Sequence, residues 1–236
     1  MSSDFPPLAV VIPAAGIGKR MKSSVAKQYL TLHGKSILEN TINVFLELPF
    51  VHKVVVVVSP DDRSFESLAI SQHPKMTTIV GGKERVNSVF NGVEFLSQQG
   101  FEWLMVHDAA RPCLPTSDVE SLYQTCLSQQ KAGILATRVR DTMKRAVSGE
   151  NLINNTVERE DLWHALTPQC AKVEELLSAL IAVKEPGGNF DSRITDEASA
   201  LELTSKPVLL VEGSARNIKV THPEDLGLAE IFLQGN

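Results

Sequence analysis

The 236-residue sequence has only three cysteines, Cys113, Cys126 and Cys170, scattered and without a CxxC pair. That number and spacing argue against a disulfide frame or a zinc site and read as reduced thiols of a cytoplasmic protein. Long apolar runs are also missing: Val54–Val58, among the longest, falls far short of a membrane span. Met1 to Pro7 has neither the basic start nor the apolar stretch of a signal peptide. A net charge of −5 disfavours broad binding to nucleic acid or to membrane surfaces. One sign of charge is absent locally, because no Asp or Glu lies between Phe5 and Leu38. That stretch holds Lys19, Arg20, Lys22, Lys27 and Lys35, so positive charge is gathered in one place, as an acidic protein handling phosphates requires.

What is present is an ordinary globular composition, 43% hydrophobic and 22% charged, able to bury a sizeable core. The length suits one domain over residues 1–236, and no repeat or linker divides it. Apolar runs at Leu8–Ile12, Lys53–Ser59, Thr77–Val80, Trp103–Val106, Gly133–Thr137 and Val208–Val211 predict strands. Helices are predicted after Ser36, Ser117 and Thr195, over Glu84–Leu96, and from Pro223 through Leu233. Strands alternating with helices predict an α/β fold, Rossmann-like, with a mostly parallel sheet covered on both faces. One segment departs from this rhythm. Thr142–Val147 and Leu152–Arg159 flank the polar turn Ser148–Asn151 and predict a β-hairpin, an excursion at about 140–160. From spacing alone it is a surface flap, an edge hairpin, or an arm reaching a partner subunit. Trp163–Leu166 reads as the strand or turn that brings the chain back to the core.

The first strand runs directly into Pro13-Ala14-Ala15-Gly16-Ile17-Gly18-Lys19-Arg20-Met21. Loops at the carboxyl ends of parallel strands are where ligands bind in open sheets, and small residues let backbone amides approach phosphate oxygens. The loop is not a Walker A sequence, since no Gly-Lys-Ser/Thr ends it. Nor is it a dinucleotide fingerprint: Met21 stands where the third glycine belongs, and the next acid, Glu39, falls inside a predicted helix. That argues against an NAD-dependent oxidoreductase. His107 and His164 have no metal-ligand spacing and are expected to be packed or hydrogen-bonded.

PAAGIGKRM, Lys27-Gln28-Tyr29, GGKERVNSV from Gly81, HDAARP from His107, Asp141-Thr142, TPQ from Thr167, TDEAS from Thr195 and NIKVT from Asn217 occur in that order. This ordered set closely resembles the 2-C-methyl-D-erythritol 4-phosphate cytidylyltransferases, from about residue 8 to the C-terminus. One departure is Ala26, where the family usually has proline. The resemblance implies the nucleotide-diphospho-sugar transferase fold and a reaction joining CTP to the polyol phosphate with loss of pyrophosphate. It implies catalytic roles for Arg20, Lys27, Arg159 and Lys219. It implies nucleotide binding by Pro13, Ala14, Ala15, Gly16, Gly18, Gly82, Arg85, Ser88, Asp108 and Ala109. Asp108, Arg111, Thr142, Arg159, Thr167, Thr195, Lys219 and Thr221 are implied for the polyol phosphate. Magnesium, or another divalent cation, is expected to be held mainly by nucleotide phosphates, with Asp108 a candidate ligand. The hairpin is implied to cross to a second subunit of a homodimer. The alternatives are a cytidylyltransferase for ribitol phosphate or a related sugar phosphate, and a non-catalytic nucleotide-binding module. The second would not need both phosphate clamps.

Overall fold

The computed structural model describes residues 5–16 and 26–234. β1 (Leu8–Pro13) is followed by the two-residue strands β2 (Thr31–Leu32) and β3 (Lys35–Ser36), and then by α1 (Ile37–Leu46). α1 begins where the sequence signals it. The Ser36 hydroxyl accepts the Glu39 N–H, and the Glu39 carboxylate accepts the Ser36 N–H, so two otherwise orphaned donors are satisfied. Next come β4 (Val51–Val58), β5 (Met76–Val80), α2 (Arg85–Ser97), β6 (Trp103–Val106), α3 (Thr116–Gln129) and β7 (Ala132–Arg138). An arm of β8 (Met143–Ala146) and β9 (Ile153–Val157) precedes β10 (Trp163–Lys172) and α4 (Val173–Ala182). The chain closes with α5 (Glu197–Leu203), β11 (Val208–Glu212) and α6 (Pro223–Gln234).

Among the described residues the main sheet has seven strands in the order β11-β7-β10-β6-β1-β4-β5. β1 runs parallel to β4 and β6, β4 to β5, and β7 to β11. β10 is antiparallel to both of its neighbours. The expected mostly parallel α/β sheet is borne out, and so is the hairpin, with antiparallel pairing from Met143–Val157 to Ala146–Ile153. Two helix starts differ, by two residues and by one. α3 begins at Thr116, after Pro115 rather than Ser117. α5 is capped by Asp196 rather than Thr195, its carboxylate accepting the Ser199 N–H at 2.9 Å.

β1 divides the core by its alternation. Leu8, Val10 and Ile12 pack with Leu38, Ile42, Phe45, Leu122 and Tyr123 of α1 and α3. Ala9 and Val11 face the other way, toward Val89, Val93 and Leu96 of α2 and Leu176 and Leu180 of α4. α2 lies close on this strand, since a Cβ added at Gly92 would sit 2.5 Å from Cγ1 of Val11. Both faces of the sheet are therefore covered, which fixes the ligand-binding edge at the carboxyl ends of the strands. From β1 the chain proceeds outward to β4 and β5, then returns to place β6 on the opposite side of β1. The gap beyond the ends of β1 and β6 is this sheet's switch point.

Candidate active site

A cavity of about 260 Å³ opens at that switch point. Ala14, Ala15 and Gly16, following β1, form one wall, and Asp108, Ala109 and Ala110, following β6, form another. Gly82 to Arg85 and Ser88, at the start of α2, make the third. The walls are tied together. Gln28 Nε2 donates to the Ala14 carbonyl at 2.8 Å, and the Gly82 N–H donates to the Ser88 hydroxyl at 3.2 Å. A Cβ on Gly81 would stand 2.6 Å from that hydroxyl and 2.9 Å from the Ala15 methyl, so the walls approach this closely only because residue 81 is glycine. The lining carries four basic side chains, Lys27, Lys83, Arg85 and Lys219, against two acidic ones, Glu84 and Asp108. A small cavity with excess positive charge and small-residue walls suits a nucleotide polyphosphate.

Asp108 is the electrostatic centre of the site. Its Oδ2 lies 2.8 Å from Lys219 Nζ and 3.4 Å from Arg111 Nε, and its Oδ1 lies 3.1 Å from Arg85 Nε. Burial opposes its charge, but Arg85, Lys219 and Arg111 outweigh burial and hold its carboxyl well below the usual carboxylate range. Arg111 also donates from NH1 to the Asn217 carbonyl at 2.7 Å, which joins the HDAARP and NIKVT segments. Arg85 is bonded beyond Asp108 to Glu197. Burial works against the Arg85 charge too, but Glu197 and Asp108 together raise its pKa.

The turn bearing Asp108 is braced from below. His107 is fully buried, with Nε2 3.1 Å from the Arg111 carbonyl and Nδ1 3.0 Å from the Thr167 hydroxyl. A carbonyl only accepts, so Nε2 carries the proton and Nδ1 accepts from Thr167. The Thr167 oxygen in turn accepts the Asp108 N–H at 3.1 Å. Burial pushes the His107 pKa down to about 4, so the ring is neutral at pH 7. His107 is thus the hydrogen-bonded histidine the sequence suggested. His164 is not packed: it stands exposed on β10.

Of the residues singled out in the sequence, Pro13, Ala14, Ala15, Gly16, Lys27, Gly82, Arg85, Ser88, Asp108, Ala109 and Lys219 line the cavity. Arg111 and Thr167 lie directly behind it, bonded to Asp108. Thr221 donates from its hydroxyl to the Lys219 carbonyl at 3.2 Å. Gly18 and Arg20 lie outside the described residues. Thr195 lines a smaller cavity of about 120 Å³ that shares Glu84 and Arg85 with the first. Arg159 is elsewhere in the chain, in a groove at the base of the arm with Arg138, Arg140 and Glu212, and it donates to the Arg140 carbonyl. Thr142 is exposed on the same arm. Sequence reasoning missed Gln28 as a wall residue and Glu197 as the second partner of Arg85, although both stand inside quoted motifs.

Comparison with known proteins places these observations in one family. The profile of the 2-C-methyl-D-erythritol 4-phosphate cytidylyltransferase family matches residues 8–235. The chain is 51% identical over 235 residues to an enzyme of that name from Vibrio vulnificus (strain CMCP6), covering 99% of this chain and 97% of the relative. A crystal structure of a 4-diphosphocytidyl-2C-methyl-D-erythritol synthase superposes with a TM-score of 0.81 at 36% identity, covering 97% of this chain and 98% of the other. The Francisella tularensis 2-C-methyl-D-erythritol 4-phosphate cytidylyltransferase gives 0.78 at 35% identity, with 96% and 99% covered. A full-length match in sequence, a shared fold and a cation-lined cavity at the switch point agree: this chain belongs to the 2-C-methyl-D-erythritol 4-phosphate cytidylyltransferase family.

Proposed function

We infer that the chain transfers a cytidylyl group from CTP to 2-C-methyl-D-erythritol 4-phosphate, giving 4-diphosphocytidyl-2-C-methyl-D-erythritol and pyrophosphate. The observation that carries this reading is the switch-point cavity, where Lys27, Arg85 and Lys219 converge with the small-residue loop after β1 in a chain of this family. A phosphate oxygen of the substrate attacks the α-phosphorus of CTP and forms the new P–O bond. The bond from that phosphorus to the β-bridging oxygen breaks, and pyrophosphate leaves with the electron pair. A phosphate dianion is already a nucleophile, so no general base is needed, and catalysis is positioning and charge stabilisation.

In this reading Ala14, Ala15, Gly16, Gly82 and Ser88 hold the nucleotide through backbone groups and a hydroxyl, while Lys27 and Arg20 steady the triphosphate as charge builds on the leaving group. Asp108 holds Lys219 and Arg111 in place toward the substrate phosphate. A divalent cation fits this donor set. Among the described residues, Oδ2 of Asp108 meets two cations and Oδ1 meets only Arg85, so Oδ1 would keep a lone pair for a magnesium ion held mainly by the nucleotide phosphates. When bound, such an ion neutralises phosphate charge and aligns the α-phosphorus.

Arg159 and Thr142 complete the polyol site of a second subunit in a homodimer that exchanges arms. Support comes from the arm itself, in which Leu152 is 61% and Ile153 67% exposed. An isolated two-stranded hairpin is marginal in water, so apolar side chains on it call for a covering surface. A cytoplasmic setting fits the three buried free thiols, and no described helix is long and apolar enough to cross a membrane. The chemistry is tested with substrate labelled by ¹⁸O on its terminal phosphate oxygens. Label in the bridging position of the product and none in pyrophosphate is expected. Label in pyrophosphate would overturn direct attack at the α-phosphorus.

A further inference from the structure

Glu197 has no role in the assignments above, yet its carboxylate is 3% exposed in the first turn of α5. Both of its oxygens are taken by one residue. Arg85 NH1 lies 2.7 Å from Oε1 and NH2 lies 3.3 Å from Oε2, a bidentate fork. Arg85 Nε, outside the edge that carries the fork, donates to Asp108 Oδ1 at 3.1 Å. Arg85 therefore forms a bridge between two acids and a wall between the nucleotide cavity and the smaller one beside Thr195.

The end of α5 that presents Glu197 is itself anchored. Gln169 on β10 accepts the Ala198 N–H at 2.8 Å and donates to Asp196 Oδ2 at 2.9 Å. The sheet thus fixes α5, α5 fixes Glu197, and Glu197 fixes the plane of the Arg85 guanidinium. Without that fork, Arg85 could turn its terminal nitrogens onto Asp108, where it would compete with Lys219 and Arg111 for Oδ2. The fork on Glu197 leaves Asp108 one contact from Arg85 and keeps Lys219 at 2.8 Å.

We propose that Glu197 is a positioning residue of the transfer reaction, which acts through Arg85 to hold the nucleotide wall and the Asp108–Lys219 pair in register. This rests on the reading of the cavity as the CTP site. The test is a double-mutant cycle of Glu197→Gln and Arg85→Gln with Glu197→Asp as the conservative variant, reading kcat and KM for CTP separately beside the unaltered enzyme. Glu197→Gln is expected to raise KM for CTP roughly tenfold or more, the loss of a hydrogen bond between charged groups. Glu197→Asp should fall between the two. In the Arg85→Gln background the further change should be less than about threefold, since the partner is gone. A purely structural role would lower the active fraction, and with it kcat, while KM stayed put. An unchanged KM in folded Glu197→Gln enzyme, or fully multiplicative effects in the cycle, would overturn the proposal. Should Glu197→Gln alone fail to fold, Glu197→Asp, which keeps the charge but shortens its reach to Arg85, carries the same readout, and an unchanged KM for CTP in that variant would overturn the proposal. Failure of the unaltered enzyme to use CTP would instead strike the function proposed above.

Discussion

Lys219 Nζ lies 2.8 Å from Asp108 Oδ2, at the mouth of a cavity in which Asp108 also meets Arg85 and Arg111. One buried carboxylate therefore keeps three cations together. Asp108→Asn preserves the shape and removes the charge, leaving those cations to repel one another. Breaking such a network costs about 3–5 kcal/mol, which for a chain of this size lowers Tm by roughly 10 °C. Turnover should fall by about two powers of ten. Calorimetry and initial rates check both, and an unchanged Tm would show that Asp108 does not hold the cluster.

Lys27 lines the cavity on the side of the β1 loop. Lys27→Ala should lower turnover by on the order of two to three powers of ten, as loss of one transition-state donor does. Near-normal turnover would remove Lys27 from the catalytic set.

Acid stability follows from the two buried groups at this turn. The folded-state pKa of His107 is lowered from 6.5 to about 4, so between those values the unfolded chain binds more protons. Its contribution to stability is complete above about pH 6.5 and is lost as pH falls toward 4. Asp108 is also depressed, but its contribution is complete above the ordinary aspartate range and is lost only below it. Denaturant midpoints should therefore decline from pH 6.5 to 4, and His107→Gln should flatten that decline. An equal slope in the variant would assign the decline to other groups.

Arm exchange predicts rescue between subunits. Arg159→Ala and Lys27→Ala chains, each inactive as homodimers, should regain one working site when mixed. Rescue absent from verified heterodimers would mean that each site is built within one chain.

Packing offers a control remote from the chemistry. Gly92→Ala would place a methyl group 2.5 Å from Val11 Cγ1 at the α2–β1 contact. Overpacking of this kind costs about 1–3 kcal/mol and should lower Tm by roughly 2 °C or more, with KM for CTP unchanged. A raised Tm would contradict the close approach.

The parallel strands and the β1 loop were legible in the sequence because β-branched runs and small residues carry their own signals. Trp103–Val106 was predicted with the bounds found in the structure. β10 beyond Leu166 was not, because Pro168 argues against a strand. It is tolerated where the register with β7 shifts between Ala165 and Gln169. α4 also escaped notice, since its N-cap Lys172 makes no side-chain capping bond. At the site, the basic residues stood out by charge. Glu197 did not, because its partner is 112 positions away and no local pattern announces that pairing. The separation of Arg159 from the cavity was not legible in spacing alone, although the family resemblance implied an arm that crosses to a second subunit.

The most direct measurement is pyrophosphate release with CTP and magnesium, comparing 2-C-methyl-D-erythritol 4-phosphate with ribitol phosphate and CTP with ATP, GTP and UTP. Fast release with CTP and the methylerythritol phosphate alone is the predicted result. Release with ribitol phosphate in its place, or none from folded enzyme that still binds CTP, would contradict the proposed function.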